Sequence, residues 1–169
     1  MGSTKKKVPS NKGNKSIFIT VGVLLAVIFA VVFIIKSNSG GKETSANGDN
    51  LVIPKSEITG IAKFYPYKVG GTNMEVLALK ASDGTIRTAF NTCQVCYSSG
   101  RGYYKLDGNV LVCQNCGNRF KPDQVEKEIG GCNPVPIFSE SKNDDGQNII
   151  ISKEFLQKAR VIFVSWKKQ

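Results

Sequence analysis

The sequence predicts a mainly β fold of the α+β kind: a single N-terminal transmembrane helix followed by a small antiparallel β domain with two cysteine turns. Three observations predict it. Residues 17–35 read IFITVGVLLAVIFAVVFII without a charge, and residues 51–169 are short apolar runs separated by Gly, Asn and Asp. Two CxxC pairs, in TCQVC at 92–96 and VCQNCG at 112–117, fall where such runs give way to turns. The 169 residues leave room for one ordinary domain plus a tail.

In chain order, residues 1–15 read as a basic cytoplasmic tail, 16–35 as the anchor, 36–50 as a flexible linker and 51–169 as the cysteine-rich domain. At about 1.5 Å per residue the apolar run makes a helix of roughly 28 Å, the thickness of a bilayer core. It is apolar on every face, which argues against a core helix. It is also longer than the roughly 7–15 residues of a signal-peptide core, and no small-residue cleavage site follows Ile35. Lys5, Lys6, Lys7, Lys12 and Lys15 precede the run, whereas Lys36 and Lys42 follow it. Lysine favours the cytoplasmic side, so the expectation is a single-pass protein of the cell membrane, embedded in the lipid bilayer, with its N-terminus inside and its C-terminal domain extracytoplasmic. The segment SNSGGKETSANGDN then reads as a tether with too little apolar surface to fold.

Within the domain, residues 61–65, 74–79 and 85–90 are separated by Gly70, Gly71 and Asn73 and by the turn Ser82, Asp83, Gly84, which predicts a three-stranded meander. GYYKL and NVLVC flank Asp107 and Gly108, a second hairpin that delivers Cys113 at the end of its second strand. Residues 148–151 read as a strand, Ser152 as the cap of a short helix to about Ala159, and 161–166 as a final strand. Asp123, Glu126 and Glu128 follow Pro122 and read as the solvated face of a short helix rather than as catalytic groups.

Histidine is absent, which removes imidazole-activated nucleophiles, HExxH zinc hydrolases, His-ligated haem and Rieske centres. The net charge is +10, but residues 1–50 carry seven Lys against Glu43 and Asp49, and residues 51–169 sixteen Lys and Arg against eleven acids. Half of the excess sits in the tail and the rest is scattered without a basic run, so no nucleic-acid partner is expected.

Cys93-x2-Cys96 and Cys113-x2-Cys116 are separated by sixteen residues, inside the roughly 15–20 residue gap of four-sulfur metal sites. A CxxC turn lets two thiolates converge on one cation while backbone N–H groups point at the sulfurs, and Gly117 suits a residue with an unusual dihedral. Coordination also explains thiols outside the cytoplasm, where free ones oxidise. Thiolate-only sites suit zinc, mononuclear iron and iron-sulfur clusters alike. Spacing favours a structural zinc ribbon acting as a binding module. A thiol-disulfide redox protein is the other alternative, although its usual βαβ context is missing. Cys132, in GGCNP, is a fifth sulfur for which a closed structural site has no use; it reads either as a further metal ligand or as a small buried hydrophobe.

FNTCQVC, GYYKLDGNVLVCQNCGNRF and GGCNPVPI together resemble the membrane iron-sulfur domain called FtrD-like, over roughly residues 53–166. The resemblance implies Cys93, Cys96, Cys113 and Cys116 as ligands of an iron-sulfur cluster or iron, with Cys132 as the family's further motif cysteine. It also implies electron transfer or iron handling associated with iron uptake. The sequence departs from the family at Asn91-Thr92, where many relatives have Asp-Ala, and in having one expected anchor where some have several spans. One helix encloses no transport pathway, so the implied partner is a membrane permease or a redox protein.

Overall fold

The structure is a computed structural model, and it describes residue 2, residues 46–47 and residues 49–168. The expected anchor at 16–35 and its flanking lysines lie outside the described residues. Among the described residues no helix is long and apolar enough to cross a membrane.

The main sheet has five strands in the order β1-β3-β4-β5-β9. They are β1 (Ala46–Asn47), β3 (Lys63–Val69), β4 (Thr72–Lys80), β5 (Ile86–Cys93) and β9 (Pro134–Pro136). β1 runs parallel to β3, and the other pairs are antiparallel. The expected meander is thus present as β3-β4-β5. Its strands run further than the apolar runs suggested, because β5 continues through Asn91 and Thr92 to Cys93. β1 falls inside the stretch read as a tether, and next to it the Tyr67 hydroxyl donates to the Asp49 carbonyl at 2.8 Å.

A second sheet, β10-β11-β2, joins β2 (Leu51–Pro54) to β11 (Asn148–Ile151) and β10 (Asn143–Asp144). A third, β6-β7-β8, consists of the hairpin β6 (Tyr104–Asp107) and β7 (Val110–Cys113) with the short β8 (Arg119–Phe120). The single α-helix among the described residues, α1 (Lys153–Ala159), starts where expected: Ser152 Oγ accepts from Phe155 N–H at 3.2 Å.

The two faces of the main sheet serve two cores, as the twofold period of a strand requires. On β4, Met74, Val76 and Ala78 enter a cluster with Leu51, Ile53 and Phe163, while Leu77 and Leu79 enter the opposite one with Cys93, Tyr104 and Leu111. Phe90 faces the first cluster, stacked on Phe155 at 5.8 Å and edge-on to Phe163 at 5.7 Å. Fully burying a side chain of that size contributes about 1.5–3 kcal/mol. Ala89 and Cys93, four residues apart on β5, share the second face. Three of the five sulfurs are therefore part of a hydrophobic core.

Two expectations are corrected. Residues 161–166 form no strand: Arg160–Phe163 is a 3-10 turn, and Trp166 N–H donates to Phe163 carbonyl at 3.1 Å. The run VIFVSW buries Phe163 and packs Trp166, three residues on, against the same core, leaving Val161 and Val164 69% and 58% exposed. That is helical spacing, and a strand would have alternated.

Nor is Glu126 on a solvated helix face. Only Pro122–Gln124 is helical, as a 3-10 segment, and Glu126, in the turn that follows, takes a φ of 63°. Its carboxylate accepts from the Thr88 N–H at 2.8 Å and from Lys142 Nζ at 2.7 Å, largely shielded from solvent. Thr88 pairs with Ala78 on β4, but on its other side the ladder to β9 begins only at Ala89, and the carboxylate satisfies the N–H left there.

The β4-β5 turn carries a testable pH dependence. Asp83 is held at about 2, below its ordinary 3.8, first by hydrogen bonds from the Thr85 hydroxyl and N–H and then by the buried Arg87 guanidinium. A depressed carboxylate stabilises the fold above the unfolded-state value and loses that contribution as pH falls through the folded-state value. The gap in urea midpoint between wild type and Asp83→Asn should therefore be full at neutral pH and shrink from about pH 4 down to about 2. A pH-independent gap contradicts it.

Candidate metal centre

Cys93 ends β5, where its N–H donates to the Gly102 carbonyl at 2.7 Å and the ladder to β9 pairs it with Pro134. The chain then turns tightly, and Cys96 N–H donates to Cys93 Sγ at 3.1 Å, the amide-to-sulfur contact expected of a CxxC turn. Gly102 packs so closely under this turn that a Cβ there would sit 2.2 Å from the Cys96 carbonyl oxygen, so no larger residue fits without displacing the loop. The second turn ends β7: Cys113 N–H donates to Asn118 carbonyl and Gly117 N–H to Cys113 carbonyl, both at 2.9 Å. Gly117 has a φ of 76°, the left-handed conformation anticipated for it.

The turns are brought together by the side chain of Asn91. Its Oδ1 accepts from Tyr104 N–H at 2.7 Å and its Nδ2 donates to Tyr104 carbonyl at 3.3 Å, joining the end of β5 to the start of β6. Tyr104 is directly across the hairpin from Cys113. The Asn91 amide thus provides both a donor and an acceptor. Trp166 Nε1–H donates to the Asn91 carbonyl at 2.7 Å, so the C-terminal turn braces the same strand. The Tyr104 hydroxyl, in turn, donates to the Cys132 carbonyl.

All five predicted cysteines meet here, and none is in a disulfide. The sulfurs of Cys93, Cys96 and Cys132 lie within 4.8 Å of one another, and so do those of Cys96, Cys113 and Cys116. Cys96 and Cys132 are 3.6 Å apart. Cys93, Cys96 and Cys113 are buried, Cys132 is half-buried and Cys116 is exposed, which leaves the centre open on one side. Cys132 therefore packs with the other sulfurs rather than as an isolated apolar side chain.

Each CxxC pair contains one thiol lowered and one raised. Burial pushes Cys93 up, but hydrogen bonds, led by the N–H groups of Cys96 and Val95, outweigh it and hold the thiol below its ordinary range. Cys116 is lowered in the same way, burial being outweighed first by the Asn118 N–H. Cys96 is raised, chiefly by burial, and Cys113 is pushed up by burial to about 12. Cys132 is raised, first by the neighbouring Cys116 thiol and then by burial.

Five free thiols with N–H donors at Cys93, Cys113 and Cys116 suit a thiophilic metal or an iron-sulfur cluster. Thr92 Oγ1 and Asn133 Oδ1 are buried without a hydrogen-bond partner among the described residues. Sequence reasoning found the sulfurs but missed Asn91, Gly102 and Tyr104. Of these only Asn91 had left a trace, as a departure from the family pattern.

A small β domain that gathers cysteines from three separate segments around one point is the class of protein this fold and site define. The family is narrower: residues 58–163, with all five cysteines, match the model described as membrane iron-sulfur containing protein FtrD-like, and the chain belongs to that family. The family is described as a membrane one. No curated protein and no solved structure matches the chain.

Proposed function

We propose that this protein is anchored by one N-terminal helix and holds an iron-sulfur centre in its extracytoplasmic domain, where it passes electrons or handles iron for an uptake system. The observation that carries this reading is the convergence of five unpaired thiols in a chain of the FtrD-like family. Cys93, Cys96, Cys113 and Cys116 are the ligands in this reading, with Cys132 as a further one. Bound there, an iron-sulfur centre supplies one-electron transfer.

The protein's own part is to bind and tune. Buried Cys93 and Cys113 keep water from one side, the Cys96 N–H donates to sulfur, and hydrogen bonds of that kind set the potential. Exposed Cys116 marks the edge at which a redox partner approaches, and a permease is the partner that would use the product. The five lysines before the apolar run, against two shortly after it, support the membrane topology.

The full chain, extracted into detergent without oxygen, should show visible thiolate-to-iron absorption that bleaches on reduction with dithionite. A colourless protein carrying one equivalent of zinc overturns the reading in favour of a structural zinc module. A colourless, metal-free protein with a reversible disulfide overturns it in favour of thiol exchange.

A further inference from the structure

The segment that carries Cys132 is fastened to the first CxxC turn at both ends. Gly130 N–H donates to Gln94 Oε1 at 2.9 Å, Gln94 N–H donates to the Asn133 carbonyl at 3.0 Å, and Gln94 Nε2 donates to the Pro134 carbonyl at 3.3 Å. With the Tyr104 hydroxyl on its own carbonyl, Cys132 has little freedom to leave. The 3.6 Å between its sulfur and that of Cys96 is far beyond the roughly 2.0 Å of a disulfide. It is close to the separation that a shared ion would impose. Metal-sulfur bonds of about 2.3 Å place two thiolates on one ion roughly 3.8 Å apart in a tetrahedron and roughly 4.0 Å apart in a trigonal plane.

We propose that the five sulfurs form two three-thiolate subsites that share Cys96, so that the centre takes two thiophilic metal ions with Cys96 bridging them. One subsite is Cys93, Cys96 and Cys132, and the other is Cys96, Cys113 and Cys116. Each triad is already within 4.8 Å, and neither contains both CxxC pairs whole. Cys96 is the buried member common to both, and a thiolate sulfur has lone pairs enough to bind two ions. Charge favours the same arrangement. One divalent ion among five thiolates leaves three negative charges uncompensated in a largely buried site, whereas two ions leave one. Three sulfurs per ion also leave each ion an open position for an added ligand, unlike a closed structural zinc site. This capacity belongs to the thiolates themselves and goes beyond the question of which iron centre they hold.

The test is a titration of the full chain in detergent, reduced and stripped of metal without oxygen, with cadmium ion, read by the ultraviolet thiolate-to-cadmium absorption. The rise should break at two equivalents. Cys132→Ser, a change at the half-buried sulfur, should move the break to one, with circular dichroism showing the β fold retained. Cys96→Ser should weaken both subsites at once. A break at one equivalent in the wild type overturns the proposal, and so does a Cys132→Ser variant that still takes two. The iron reading fails on a different observable, the absence of iron and sulfide in the protein as isolated, so two cadmium equivalents in a protein isolated without iron would overturn only that reading.

Discussion

Cys113→Ser should abolish loading of the iron-sulfur centre while leaving the protein membrane-bound. Cys113 is 1% exposed, it closes the hairpin that brings the second turn to the first, and its sulfur shares a triad with Cys96 and Cys116. Serine removes the soft donor and puts a hydroxyl into a wall formed by Leu77, Leu111 and Phe120. Loss of a partner outside the ligand shell typically costs roughly 10–100-fold in metal affinity. Loss of a buried ligand should cost more, and iron per chain after gel filtration should fall at least tenfold. Because binding energy at such a site is folding energy, the loaded wild type should melt well above the variant. After chelation the two should differ only by the cost of the buried hydroxyl. A variant that retains full metal excludes Cys113 as a ligand.

Glu126→Ala should be strongly destabilising. The ion pair to Lys142 spans 2.7 Å with side-chain exposures of 12% and 10%, and the same carboxylate accepts from the Thr88 N–H. Truncation leaves an ammonium and a backbone donor without their partner in a shielded place. Breaking such a pair from one side costs about 3–5 kcal/mol, a large share of the stability of a small domain. Replacing both members with apolar residues removes the unpaired charge but not the orphaned Thr88 N–H, so Glu126→Leu combined with Lys142→Met should recover only part of the loss. Urea unfolding of the two variants measures the difference. A single variant within about 1 kcal/mol of wild type would show that solvent reaches the pair, as it does exposed ones.

The parts of this protein that were legible in the sequence are those fixed by local chemistry. Turn residues at 70–73, 82–84 and 107–108 marked the hairpins, Ser152 marked the helix start, and the sixteen-residue gap between CxxC pairs matched one site formed by one hairpin. The hidden parts depend on contacts between distant segments. Nothing local places Cys132 beside Cys96, because that contact spans 36 residues and depends on β9 pairing with β5. Glu126 was misread because an acid after a proline looks solvated until the unpaired Thr88 N–H is known to face it. The run 161–166 was misread because its β-branched residues suggest a strand, whereas Phe163 and Trp166 pack on one core at helical spacing. Asn91 carries a similar lesson. As part of a motif it was only a departure, and as a side chain it is the clamp between the two cysteine turns.

The most direct test is the iron and acid-labile sulfide content of the full chain, isolated from membranes without oxygen. Iron and sulfide in comparable amounts, both lost in Cys113→Ser, are the result expected of an iron-sulfur centre held by these cysteines. Zinc in place of iron, with no sulfide, would contradict it.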